Sequence, residues 1–278
     1  DAVLSVVNLV ELEDYIESLV TSEIWPTFHD ETLRVQAIVA RTYVVYQMLQ
    51  RTSQSFDVSA TQSSQVSQGV RADPVALRAQ LAARQTRGLV STWDDAGRAR
   101  VFCAYYSAAC GGLSQSASIF GPEGDVPPLS GMVPCEFCKD APGDNYHWKP
   151  VRIPTADLYQ RLGARYPEFL KLAAIIAISP TETTTSGRIV RLRIDGQSGA
   201  SVDILAERLR MASGANTLRS MQCTIRMSGD DVVFEDGRGF GHGLGLCQWG
   251  AQGQAQIGKR AGEIIRYYFP RSHLTRIY

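Results

Sequence analysis

The sequence predicts an α+β fold, and three stretches carry that prediction. Residues 12–50 space their apolar positions as two amphipathic helices, interrupted by Trp25-Pro26. Residues 151–236 are rich in period-two alternation, the pattern of strands with one buried face. Residues 237–245 carry glycine at every second position. By composition the chain divides into 1–150, 151–236 and 237–278. The expected architecture makes one core from the N-terminal helical part and the C-terminal Gly-rich part, facing each other across a groove. The middle part is then a β-rich subdomain.

Composition narrows the function classes. The 278 residues suffice for a large core. Lys and Arg number 28 against 28 Asp and Glu, so no electrostatic footprint for nucleic acid or anionic membrane exists. The longest apolar run, Leu172 to Ile178, is too short to span a bilayer. No leader-like pattern follows Asp1, which is also how a processed chain begins.

In the first helix Leu12, Ile16, Leu19 and Val20 form an apolar stripe that ends on Glu23. Apolar neighbours, the nearby Trp25 indole and the negative end of the helix dipole all favour a protonated carboxyl there. That is how a glutamate is tuned to donate a proton, although a surface glutamate at a frayed end has the same spacing. The second helix starts with Asp30 as cap and runs to about Gln50. Leu33, Ala37, Ala40, Val44 and Met48 make one stripe; Arg34, Ile38, Arg41 and Val45 make another. The two arginines fall two turns apart, about 10 Å. Such a pair grips an extended anionic or hydroxyl-rich ligand, or else pairs with carboxylates.

Ser53 to Gly69 reads as a polar loop. Pro74 starts a helix through Thr86, with Leu77, Leu81 and Ala82 expected inside, and Asp95-Ala96-Gly97-Arg98 is a hairpin turn. Cys135-Glu-Phe-Cys138 is a C-x-x-C. With Cys103 and Cys110 it makes a candidate four-thiolate zinc site, His147 being an alternative fourth ligand. Disulfides and a redox pair are the competing readings. Cys223, in a strand-like run, reads as a small buried hydrophobe. Pro154 to Leu162 is a short helix and Gly187 to Gly196 a strand, and this half reads as scaffold.

If Gly237 to Gly245 is extended, one side is bare backbone and Arg238, Phe240, His242, Leu244 and Leu246 point the other way. A bare strand admits a flat sugar ring, while the same glycines can instead serve tight packing. Phosphate-loop and dinucleotide fingerprints are both absent. By residue type alone His242 is more often structural than catalytic, while Trp249 fits a sugar face or a core equally.

The wording of the chain also resembles a known family. Leu12-Glu13-Asp14-Tyr15-Ile16, Ser22-Glu23-Ile24-Trp25-Pro26, Leu33-Arg34-Val35-Gln36-Ala37 and Ala40-Arg41-Thr42-Tyr43 are similar to the opening of the SpoIID (stage II sporulation protein D) family. So is Val101 to Gly112, with Ser107 where relatives often carry histidine. Gly241-His-Gly-Leu-Gly-Leu-Cys-Gln-Trp-Gly-Ala251 is the sharpest match, with Cys247 at a common serine position, and Gly262 to Pro270 follows it.

The resemblance implies a peptidoglycan lytic transglycosylase that cleaves glycan strands, exported to the cell envelope. Glu23 would be the general acid, and Arg34, Arg41, Tyr106, His242, Gln248 and Trp249 would bind substrate. No metal is required for that chemistry, and a cell-wall amidase is a candidate partner. The family's zinc-ligand region falls on Ser59, Ser63 and Ser64, where hydroxyls make no metal site. A hydrolytic muramidase and a non-catalytic amidase-enhancing module are the rival readings.

Overall fold

A computed structural model describes residues 6–59, 65, 69 and 73–278. Among them seven α-helices occupy Leu12–Glu23 (α1), Asp30–Gln50 (α2), Pro74–Gln85 (α3), Thr155–Arg165 (α4), Ala206–Ser213 (α5), Gln248–Gln256 (α6) and Ala261–Tyr268 (α7). Several small sheets accompany them, so the fold is α+β as the sequence predicts. Backbone contacts divide the chain into two compact units, the second comprising residues 107–115 and 134–243.

The first unit is built on α1, α2 and α3. Ile16, Leu19 and Val20 of α1 pack on Leu33, Ala37, Ala40 and Val44 of α2 and on Ala79, Ala82 and Ala83 of α3. The small residues let the helix axes approach closely. α1 stops at Glu23 because Ile24 turns extended, at φ −138° and ψ 154°, ahead of Trp25-Pro26.

Two sequence expectations fail locally here. The α2 cap is His29, whose Nδ1 accepts from the Glu31 N–H, while Asp30 is engaged by Arg78 at 2.6 Å. In α3, Leu77 and Leu81 are 51% and 53% exposed, because the alanine face is the one that packs. The hairpin holds: strands Leu89–Asp95 and Arg98–Val101 flank Ala96 and Gly97, both at positive φ (51° and 84°). Strand Ser272–Arg276 completes that antiparallel sheet on the other edge.

The second unit contains two three-stranded antiparallel sheets. One joins Ile175–Thr183, Ile189–Gly196 and Ser201–Leu205; the other joins Val151–Pro154, Asp231–Glu235 and Thr224–Ser228. Leu192 and Ile194 point inward while Arg191 and Arg193 face water, as the alternation requires. Leu158 and Leu162 of α4 and Leu209 of α5 share that core with Phe169 and Phe234. Cys223 packs against it half-buried, and burial pushes its thiol up to about 12.

The glycine run is not a bare-faced strand. Strand pairing is limited to Gly237–Arg238, a single bridge from Phe240 to Ala109, and Leu246–Cys247, and Gly239, Gly241, Gly243 and Gly245 all have positive φ. A Cβ on Gly241 would lie 2.7 Å from the Ser107 Cβ, and one on Gly245 would lie 2.2 Å from the Tyr105 carbonyl oxygen. The alternation therefore encodes left-handed backbone in contact with neighbouring chain, where only glycine fits without strain.

Candidate functional site

Glu23 ends α1, half-buried, and α6 fixes the turn that carries it. The Gln248 side-chain amide donates to the Glu23 backbone carbonyl at 2.9 Å and to Gln36 Oε1 at 3.2 Å. That carbonyl is one of the orphan acceptors every helix C-terminus leaves. One glutamine at the start of α6 thus ties α1 to the buried middle of α2.

Two phenols lie within electrostatic reach of the same carboxyl. Burial, and then the negative charge of Glu23, raises the pKa of both Tyr15 and Tyr106 above the ordinary tyrosine value. Both therefore stay protonated donors at any working pH. Tyr15 donates to Gln65 Oε1 at 3.2 Å. The Tyr106 hydroxyl is buried without a partner of ordinary hydrogen-bond geometry among the described residues, although the Gln65 side chain acts on it in the sense opposite to burial. The sequence singled out Tyr106 but missed Tyr15 and Gln36, because a helical stripe does not say which polar residue looks across it.

Directly after Glu23 the chain presents aromatic surface. Trp25 is 44% exposed and packs against Phe28, ring centroids 5.8 Å apart, and against Trp249 at 5.3 Å. Trp249 in turn meets Phe28 edge-on at 4.6 Å and lines the helical core. Trp249 thus supports Trp25, which offers the exposed face. His242 belongs to the second unit, half-buried, with its carbonyl accepting from the Gln115 amide.

The two arginines of α2 part company. Arg34 stays near the surface, paired with Glu31 and bonded to Gln85. Arg41 is fully buried, so the expectation that it lines a groove is wrong. Its Nε and Nη2 reach Glu13 Oε1 and Oε2 at 2.9 and 2.8 Å, a bidentate pair. Its Nη1 donates to the Leu89 carbonyl at 3.1 Å. Burial opposes ionisation of Glu13. The Arg41 and Tyr278 hydrogen bonds, the Arg41 charge and the Gly88 N–H outweigh it and hold the carboxyl below its usual range.

The four cysteines expected to share a site divide between the units, Cys103 falling in the first and Cys110, Cys135 and Cys138 in the second. Within the second unit the sulfurs of the buried Cys110, Cys135 and Cys138 lie within 4.8 Å of one another, Cys110 Sγ and Cys138 Sγ 3.7 Å apart. Cys103 is elsewhere, beside Gln47 and Tyr105, with its thiol pushed up to about 11, chiefly by burial. His147 is exposed and stacks edge-on against Tyr146, outside the group. None of the six cysteines is disulfide-bonded. Ser63 and Ser64 lie outside the described residues, and Ser59 belongs to no cluster of metal-binding type among those described.

The helical junction around the Glu23 helix end, with its capping glutamine and aromatic face, belongs to an α+β protein whose first unit joins the N-terminal helices to α6. Comparison with known proteins makes that specific. Residues 1–93 match the family model described as SpoIID, stage II sporulation protein, and residues 139–245 match a domain of unknown function, DUF8618. An uncharacterized protein of Brachyspira hyodysenteriae is 32% identical over 95% of this chain, which spans 66% of that protein's length. Stage II sporulation protein D of Bacillus subtilis is 25% identical over 97% of this chain and 76% of its own. The amidase enhancer of the same organism is 26% identical, over 38% of this chain and 17% of its own. The SpoIID likeness is thus carried by residues 1–93, and the sporulation protein of that name aligns along nearly the whole chain.

Proposed function

We propose that the protein is an extracytoplasmic, peptidoglycan-acting lytic transglycosylase with Glu23 as its general acid. The observation that carries this reading is the Gln248 amide on the Glu23 carbonyl, beside two phenols that respond to the Glu23 charge. A carboxyl on a fixed helix end, among hydroxyl donors and next to an exposed indole, suits proton delivery to a stacked sugar.

In the proposed reaction Glu23 protonates the glycosidic oxygen between N-acetylmuramic acid and N-acetylglucosamine. The muramic 6-hydroxyl attacks its own anomeric carbon, and its proton returns to the Glu23 carboxylate. A 1,6-anhydro end forms, the N-acetylglucosamine 4-hydroxyl leaves, and no water is consumed. An internal nucleophile supplies the proximity that a second carboxylate would otherwise have to arrange.

The hydrolytic rival needs such a second carboxylate across the bond. Asp30 is engaged by Arg78 and Glu31 by Arg34. Asp14 lies nine residues before Glu23 on the same helix, about half a circle around it. The second reading is a wall-binding module that enhances an amidase, in line with the likeness to the Bacillus subtilis amidase enhancer. Digestion of purified glycan strands tests both: anhydro ends support the transglycosylase, reducing ends the hydrolase, and intact strands the binding module.

A further inference from the structure

We infer that the buried Cys110, Cys135 and Cys138 of the second unit bind one zinc ion through three thiolates. Thiolates around a tetrahedral zinc, with Zn–S near 2.3 Å, stand about 3.8 Å from one another. Here Cys110 Sγ and Cys138 Sγ are 3.7 Å apart, and no pair among the three exceeds 4.8 Å. A single ion fits between sulfurs so spaced.

The local backbone accounts for the gathering. Cys135 precedes, and Cys138 ends, a single 3₁₀ turn over Glu136–Cys138, so both sulfurs of the C-x-x-C leave the same turn. Leu113 and Pro134 form an antiparallel bridge, and the Cys135 N–H donates to the Gly112 carbonyl at 2.9 Å. Those contacts bring the segment that carries Cys110 alongside the turn.

Charge supplies a second, independent observation within the same unit. Arg188 is fully buried, and its guanidinium bonds only to uncharged acceptors. Nη2 donates to the Cys110 carbonyl at 2.7 Å and to Gln222 Oε1 at 3.3 Å, and Nη1 to the Gly241 carbonyl at 3.2 Å. Its Nε has no hydrogen-bond partner among the described residues. Glu207, whose charge also reaches it, is paired with Arg210 at 2.6 Å. A buried cation needs compensation, and zinc held by three thiolates carries one negative charge, equal and opposite to that of Arg188. A disulfide between two of the three cysteines would be neutral, would leave the third thiol over, and would compensate nothing.

The second unit takes in residues 107–115 and then 134–243. The ion joins the first piece to the start of the second, a staple where the chain returns to the unit. Zinc takes four ligands. The three sulfurs set its place, and the fourth donor is read in the experiment below. The inference does not depend on the transglycosylase reading.

The test is metal content, which does not depend on activity. The full chain, purified without added metal, should carry about one equivalent of zinc and show unmodified thiols once denatured with a chelator. Cys110→Ser and Cys135→Ser should each lose zinc to a chelator that the wild type resists, whereas Cys103→Ser and Cys223→Ser should keep the full equivalent. Should the ligand variants fail to fold, X-ray absorption at the zinc edge of the wild type decides. Three or more sulfurs at about 2.3 Å support the centre, and fewer than three overturn it. Zinc-free wild type, whether its thiols are free or in disulfides, also overturns the inference. So does full retention of zinc in folded Cys110→Ser and Cys135→Ser.

Discussion

Gln248 donates its side-chain amide to the backbone carbonyl of Glu23, so the first residue of α6 caps the last turn of α1. The same amide bonds to Gln36 on α2, and three helices meet on one side chain. Glu23 therefore takes its position from a junction and not from the helix it terminates.

Replacing Gln248 by leucine keeps the bulk and removes the donor. The Glu23 carbonyl and Gln36 Oε1 then lose it together, an expected cost of about 1–3 kcal/mol in urea unfolding. Glycan cleavage should fall with kcat while KM changes little, since the carboxyl remains and only its placement loosens. Unchanged kcat in a folded variant would remove Gln248 from the positioning role.

Arg41 governs stability. Arg41→Ala leaves Glu13 buried without its bidentate partner and should cost about 3–5 kcal/mol. The pH dependence has a definite sign. The folded-state pKa of Glu13 is depressed, so its stabilisation is fully present above the unfolded carboxylate value, about 4.3. It is lost as pH falls through the lower folded value. Wild-type unfolding free energy should drop across that acid range, and Glu13→Gln should flatten the drop. A wild-type slope retained in Glu13→Gln would assign the acid lability to other groups.

What the sequence made legible here was local. The stripe of α1 placed Glu23 at the helix end, and Ala96-Gly97 announced the hairpin, because both signals lie within a few consecutive residues. Arg41 was legible as a helix-face residue, but its partner Glu13 lies 28 positions away, and no periodicity names a partner on another element. The Gly237 to Gly245 alternation has the period of a strand, yet positive φ at every second residue from Gly239 to Gly245 gives the same spelling. Leu77 and Leu81 misled because an all-alanine face can outcompete leucine when helices pack closely.

Trp25 is the exposed ring of the aromatic trio and the expected stacking surface for a sugar. Trp25→Ala should weaken binding to uncleaved strands about tenfold, equivalent to about 1.4 kcal/mol. Its stability cost should stay small beside that of Trp249→Ala, which removes the ring packed in the helical core. Equal binding by Trp25→Ala and wild type in a glycan pull-down would move the sugar platform elsewhere.

Arg34 keeps the ligand-facing expectation that Arg41 loses. Its pairing with Glu31 is a partly exposed i,i+3 contact worth at most about 1 kcal/mol, so Arg34→Ala should fold normally. Weaker strand binding at low salt, converging on wild type at high salt, is the expected outcome. An unaltered binding isotherm at low salt would confine Arg34 to its contacts with Glu31 and Gln85.

The most direct test of the proposed chemistry is cleavage of purified glycan strands by Glu23→Gln, with the ends analysed by mass spectrometry. The variant keeps size and hydrogen bonding but has no proton to deliver. General acid–base groups contribute about 10²–10⁴-fold, so release of 1,6-anhydro ends should fall at least about a hundredfold while strand binding survives. Cleavage by Glu23→Gln at the wild-type rate would contradict Glu23 as the general acid.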